Sequence, residues 1–452
     1  MPPKAAYLYS LIFILLSAQF RCISLSGFIV KHWLRKDPET MAKIKPFRGL
    51  RPRPDVAAKI ASKPYDVLNS EEARELAKDN PLSFLRVVKA EVDFDPSVNS
   101  HSEQVYQKGA ANLKQLQIDG LMIQDDRPCF YVYQQRMGDH VQAGVVAGAS
   151  IDEYQKDLIK KHEHTRPDKE NDRARHVEIL GANTGPVFLT YHASDNINSI
   201  VDNVRKGKPT YDFTAEDGVG HTFWVVKDEK TIKALADAFD KISCLYVADG
   251  HHRSAAASRV CDIRKKANSN HTGEEPHNYF LSVIFPDEQM KILDYNRVVM
   301  DLAGMSDDDF LERVAEKFDV EQVDDGKPTE PKTFGMFLGG RWYKLTAKEG
   351  TYPANDPVES LDAAILQANL FSRVLGINDP RTDKRIDFVG GIRGMKELER
   401  RCTKDAVAAF AVYPVSIAEL LAVADAGKVM PPKCTWFEPK LRSGMVVKLL
   451  DE

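Results

Sequence analysis

Cysteine is scarce and scattered. The six cysteines at positions 22, 129, 244, 261, 402 and 434 contain no C-x-x-C pair. That spacing excludes a zinc ribbon and a dithiol redox motif, and it suits a reducing compartment better than a disulfide scaffold. Neither sign of charge dominates: 62 Lys and Arg stand against 66 Asp and Glu, a net charge of −4. A balance this close to neutral gives no electrostatic footing for non-specific nucleic-acid binding, and no helix-turn-helix signature is present. Internal repeats and low-complexity tracts are missing too. So are the G-x-x-x-x-G-K-[ST] loop and the His-Arg-Asp string of protein kinases, which sets the common nucleotide-binding folds aside.

What is present is an ordinary globular composition, 43% hydrophobic and 28% charged over 452 residues. That length exceeds one typical domain and suits a large α/β unit with two lobes. Residues 1–40 differ from the rest. Residues 7–20 are strongly apolar, basic residues surround them, and no acid precedes Asp37. The run is short for a membrane span and long enough for a signal-peptide core. A dispensable leader, an over-called start before Met41, an organelle presequence and a signal anchor all fit it. The expected organisation is an extension over 1–40, a main α/β domain over 41–325 and a smaller C-terminal lobe over 326–452.

Periodicity and turn residues place the elements. Two antiparallel strand pairs are expected, one turning at Gly138-Asp139 and one at Gly218/Gly220. A hairpin is expected at Gly339-Gly340, and buried strands at Val187-Phe188-Leu189-Thr190-Tyr191 and 279–285. Leu82-Ser83-Phe84-Leu85-Arg86-Val87-Val88 reads as a further strand. Ser70 reads as the N-cap of a helix. The charged stretch from Ile151 through His162-Glu163-His164 to His176 reads as one helix with an ionic face. On a helix His162 and His164 would not share a face, so a metal pair there requires extended backbone.

The densest chemistry lies at Tyr246-Val247-Ala248-Asp249-Gly250-His251-His252-Arg253-Ser254. An apolar strand precedes this turn and a helix follows from Ser254. The first N–H groups of a helix lack intrahelical partners, and the dipole there favours an anion. Gly250 permits close backbone approach, Arg253 offers a planar fork for phosphate, and Asp249 can take a proton or hold a metal ion. Near the start, Arg48, Arg51 and Arg53 lie close together in a Pro-rich extended arm and could present an anion-binding wall. Arg166 is a further cationic candidate.

Several strings in order resemble the domain-of-unknown-function family 1015: Ile44-Lys45-Pro46-Phe47-Arg48-Gly49-Leu50-Arg51-Pro52, Pro64-Tyr65-Asp66-Val67, Lys161-His162-Glu163, Ala248-Asp249-Gly250-His251-His252-Arg253, Asn296-Arg297-Val298-Val299 and Met430-Pro431-Pro432-Lys433. The likeness runs from about Ile44 to the C-terminus. Asp249-Gly250-His251-His252-Arg253 also resembles the motif of the free-serine kinases in the ParB/sulfiredoxin-like group. That resemblance implies a mixed-sheet α/β fold with a ParB/sulfiredoxin-like core and a nucleotide-dependent phosphotransferase acting on a small hydroxyl-bearing metabolite, serine among the possibilities. ATP or ADP, or else CTP, would be the nucleotide, with Mg²⁺. Asp249 and His252 would be catalytic, with Asp249 the candidate for Mg²⁺. Gly250, His251, Arg253 and Ser254 would bind phosphate, with Arg48, Arg51 and Arg166 behind them. The alternatives are a metal-dependent hydrolase built on His162, His164, His251, His252 and Asp249, and a non-catalytic nucleotide-gated switch. A cytoplasmic protein without stable membrane association of the folded body is expected, or an organelle-targeted or membrane-anchored one if residues 1–40 act.

Overall fold

A computed structural model describes residues 42–451; the expectations for residues 1–40 and for a start at Met41 lie outside the described residues. The chain folds as a mixed α/β protein around a nine-stranded sheet. In chain order its strands are β1 (Ile44–Lys45), β2 (Phe130–Met137), β3 (His140–Ser150), β4 (Ile159–Lys160), β5 (Val187–Tyr191), β6 (Tyr211–Thr214), β7 (Gly220–Val226), β8 (Leu245–Asp249) and β9 (Tyr279–Pro286). The spatial order is β4-β8-β5-β9-β3-β2-β7-β6, with β1 beside β3. β8 runs parallel to β4 and β9 parallel to β5, and the other pairings are antiparallel. Both expected strand pairs form. The first turns at Gly138, whose φ of +58° suits a tight hairpin.

Both faces of this sheet are buried, which is why its central strands read as continuous apolar runs rather than alternating ones. Side chains still alternate between faces. Val132, Val145, Ala147, Leu189, Val247 and Ile284 pack against the helices Asp195–Arg205, Glu229–Phe239 and His251–Ala267. Tyr131, Val146, Phe188, Tyr246 and Val283 pack on the opposite side, under the helix Ile417–Asp425 and the C-terminal residues Met430, Phe437 and Met445. The last stretch of sequence therefore closes over the main sheet.

A second sheet of six strands is entirely antiparallel. Its strands are β10 (Tyr295–Val299), β11 (Phe318–Val323), β12 (Thr333–Leu338), β13 (Arg341–Ala347), β14 (Ile386–Gly390) and β15 (Ala408–Val412), in the order β11-β13-β12-β15-β10-β14. The Gly339-Gly340 hairpin joins β12 to β13, both glycines having positive φ. Among the described residues no helix is long and apolar enough to cross a membrane.

Four local expectations differ from the structure. Leu85–Val88 is helical, not a strand: Phe84, Val87 and Val88 lie three and four residues apart and turn one apolar face into a satellite core. Asn69, not Ser70, caps the helix Ser70–Ala77, and it forms a capping box with Glu72. The charged stretch is two helices, Ile151–Gln155 and Pro167–Leu180, with β4 and an irregular segment between them. Pro167 opens the second helix because its missing N–H costs nothing at that position. The helix after the central turn begins at His251, three residues earlier than expected, and Gly250 is its N-cap with φ +100°.

Candidate functional site

The C-terminal end of β8 delivers Asp249 to the surface of the main sheet, and Gly250 turns the chain directly into the 17-residue helix His251–Ala267. Only a residue without Cβ takes this conformation easily, and a Cβ there would lie 3.1 Å from Nε of Arg253. The carbonyl of Gly250 accepts from the N–H groups of Arg253 and Ser254 at 2.9 and 3.0 Å. The N–H groups of His251 and His252 have no partner among the described residues and belong to residues that line a pocket.

That pocket lies where the turn meets three other segments: Tyr65-Asp66-Val67, His162-Glu163, and the C-terminal stretch from Met430 to Lys440, with Tyr295 of β10 at its side. A backbone bond from Met430 to the His162 carbonyl, 2.9 Å long, ties two of them together. Arg297, buried in β10, donates to the carbonyls of Tyr295 and Lys433 and so fixes the C-terminal stretch against the second sheet.

The electrostatics are uneven. Asp249 lies 3.0 Å from Nζ of Lys440 and 3.9 Å from a guanidinium nitrogen of Arg253. Burial alone would raise its carboxyl, but Lys440 and Arg253 outweigh that and hold it well below the usual carboxylate range. Glu163 goes the other way: burial raises it, with Lys433 opposing. His162 and His251 are both buried, with rings edge to face at 4.5 Å. Burial lowers His162 to about 4 and His251 well below its ordinary value, so both imidazoles are neutral near pH 7. Neither ring nitrogen of His162 makes a well-formed hydrogen bond, nor does Nε2 of His251. Nε2 of His252 accepts from the backbone N–H of Arg166 at 3.1 Å.

Of the residues singled out from sequence, Asp249, Gly250, His251 and His252 line the pocket together. His162 lines it as well, and the others are placed elsewhere. Arg253 turns its guanidinium to the Pro186 carbonyl and to Asp66, 3.2 Å away, bracing the turn from behind. Ser254 is fully buried and its hydroxyl donates to the carbonyl of His251 at 3.0 Å. Arg48 donates to the Asp125 carbonyl, and Arg51 makes a two-pronged ion pair with the Asp125 carboxylate at 2.9 Å. The side chain of Arg166 is exposed and pairs with Asp168. His162 is buried while His164 is exposed, so they do not act as a pair. Among the described residues, no three histidine or carboxylate donors around the pocket come within ligand spacing of one another.

Sequence reasoning missed Lys433, Lys440, Tyr295 and Trp436, all in the pocket lining. Their signal was present in Met430-Pro431-Pro432-Lys433 and Trp436, but nothing local says that a stretch some 190 residues downstream returns to Asp249.

The chain belongs to the family described as "protein of unknown function (DUF1015)", which it matches over residues 44–364. No curated protein matches it. Among solved structures it is similar to a free serine kinase in complex with AMP, at 13% identity and a TM-score of 0.31, covering 62% of this chain and 84% of that one. It is similar to SbnI from Staphylococcus aureus with a C-terminal truncation, at 12% identity and a TM-score of 0.35, covering 66% and 85%. A conserved hypothetical protein from Pyrococcus furiosus is 15% identical with a TM-score of 0.32, covering 65% and 93%.

Proposed function

We propose that this DUF1015 protein is a nucleotide-dependent phosphotransferase acting on a small hydroxyl-bearing metabolite. The observation that carries the reading is the pairing of two unpartnered helix N–H groups, on His251 and His252, with an ionised carboxylate, Asp249, at the mouth of one pocket. Phosphoryl transfer asks a protein for positioning and charge neutralisation more than for covalent chemistry. The N–H groups and Lys433 supply an anion site for the phosphates. Asp249 then faces the acceptor. It accepts a hydrogen bond from the acceptor hydroxyl, and it is also the carboxylate that would hold Mg²⁺, an ion that commonly uses one or two carboxylates plus substrate phosphates. The acceptor oxygen forms the new P–O bond as the bridging P–O bond to the nucleotide breaks, and the hydroxyl proton leaves to water. His252 sits at the same helix end, beside the phosphates. Hydroxy amino acids are the first acceptors to test, because the Asp249–Arg253 string resembles that of the free-serine kinases.

A hydrolase working through a protein-held metal needs three convergent donors, and the described residues around the pocket do not provide them. The test is ³¹P NMR of the protein with ATP or ADP, Mg²⁺ and a panel of hydroxy amino acids and hydroxy acids. A new phosphomonoester, absent with Asp249→Asn while nucleotide still binds, is the expected result. Nucleotide binding without turnover on every acceptor would instead make the protein a nucleotide-gated switch.

A further inference from the structure

At the other end of the helix His251–Ala267, about 25 Å from the pocket for 17 residues at 1.5 Å each, the chain makes a tight loop before β9. Three side chains converge in it: His271, Glu275 and His277. One donor atom from each lies within 4.8 Å of the other two. We propose that this loop binds one divalent transition-metal ion of the Zn²⁺ type through His271, Glu275 and His277, with water completing the shell.

The unsatisfied atoms support it. His277 is only 8% exposed, and its Nε2 is buried with no hydrogen-bond partner. Leaving such a nitrogen dry and unpaired costs free energy that a ligand bond would recover. Nδ1 of His271 is buried without a hydrogen bond as well, although Oε2 of Glu275 lies only 2.9 Å away. Close approach without hydrogen-bond alignment is what two ligands of one ion show, their separation being about 3.3 Å for bonds of about 2.0–2.1 Å. The two imidazoles stack at 5.7 Å, which leaves room for an ion at their edges after a small rotation of either side chain.

The carboxylate is held in place. The N–H of Gly273 and the side-chain amide of Asn278 donate to its Oε2, each at 2.9 Å, and the hydroxyl of Thr272 donates to Oε1 at 2.9 Å. Such bonds orient a metal-binding carboxylate in advance. Two cations lie near: Arg264, already paired with Asp451, and Lys448, whose Nζ donates to the Pro276 carbonyl at 2.6 Å. Two imidazoles with one carboxylate favour zinc-like ions over Mg²⁺ or Ca²⁺, which take all-oxygen shells. Distance from the pocket makes the ion a clamp on the joint between a core helix and a core strand.

The full chain, stripped with chelator, is titrated with Zn²⁺ and with Co²⁺. The expected result is one ion per chain, visible Co²⁺ absorption of nitrogen and oxygen ligation, and a rise in thermal midpoint. Binding should weaken at least about tenfold in His277→Ala and Glu275→Gln, and stay unchanged in His251→Ala. If His277→Ala fails to fold, His271→Ala at the loop surface carries the same comparison. Absence of stoichiometric binding by the wild-type chain overturns the proposal. So does binding that survives both histidine substitutions, or that is lost only with His251→Ala.

Discussion

The carboxylate of Asp249 sits 3.0 Å from Nζ of Lys440, across 191 residues of chain. The same Nζ lies 4.8 Å from the ring centre of Trp436, so the lysine is held between an anion and an aromatic face. The consequence is chemical. A carboxylate held this far below its ordinary range is a poor proton acceptor but a good ligand for a cation and a good orienting group for a hydroxyl. Asp249 therefore suits phosphoryl transfer, where positioning dominates, better than a reaction limited by proton abstraction.

Removing Lys440 tests this. In Lys440→Met the Asp249 carboxyl loses its first cationic partner and its pKa rises towards or above the ordinary value, because burial is then opposed mainly by Arg253. The acid limb of the pH–rate profile should move up by at least about one unit, and carbon NMR of labelled aspartate should show the same shift. An unmoved limb would mean that Asp249 is not the group being read.

Lys433 lies in the pocket lining and its own pKa is raised: burial lowers it, and Tyr295, Glu163 and Asp249 more than offset that. It should be cationic whenever nucleotide is present. Lys433→Ala is expected to weaken nucleotide binding about tenfold or more, the worth of one charged hydrogen bond, and to flatten its dependence on salt. Isothermal titration at two ionic strengths checks both.

These two lysines show what was legible in the sequence and what was not. The turn at Asp249 was visible because a strand, a glycine and a helix start are neighbours in sequence. The strand pairs at Gly138 and Gly339-Gly340 were visible for the same reason. Lys433 and Lys440 reach the site through tertiary packing of the C-terminal stretch over Tyr246, Phe188 and Val283, which no local pattern encodes. Arg253 and Ser254 lie outside the pocket lining for a related reason. Starting the helix at His251 instead of Ser254 rotates both side chains away from the pocket, Arg253 to Asp66 and Ser254 back onto its own first turn. Leu85–Val88 misled because β-branched residues at helical spacing look the same as a short buried strand.

Arg51 separates structural charge from functional charge. Its guanidinium is held by Asp125, whose side chain is 1% exposed and also accepts from Tyr131 at 2.9 Å. Arg51→Ala leaves a buried carboxylate short of its main counter-charge and should cost about 3 kcal/mol in denaturant unfolding. Nucleotide affinity should stay within twofold of the wild type under conditions where both are folded, which an arginine in contact with phosphate would not allow.

His162 should make the fold sensitive to acid. Its folded pKa is lowered to about 4 by burial, against about 6.5 for a solvated imidazole. Below pH 6.5 the unfolded chain takes up the proton that the folded chain refuses, so stability is complete above 6.5 and falls as pH drops towards 4. The single-site share is on the order of 3 kcal/mol, for a side chain only 2% exposed. His162→Leu removes that share, so the gap between variant and wild type in urea unfolding should shift in favour of the variant as pH falls from 7 to 4. His251 works in the same direction: burial lowers it first, and a charge on the His162 ring, at a 4.5 Å centroid separation, would lower it further. An NMR titration that found the His162 ring protonating near 6.5 in the folded protein would show the pocket floor to be wet, and the pH dependence of the two proteins would then run in parallel.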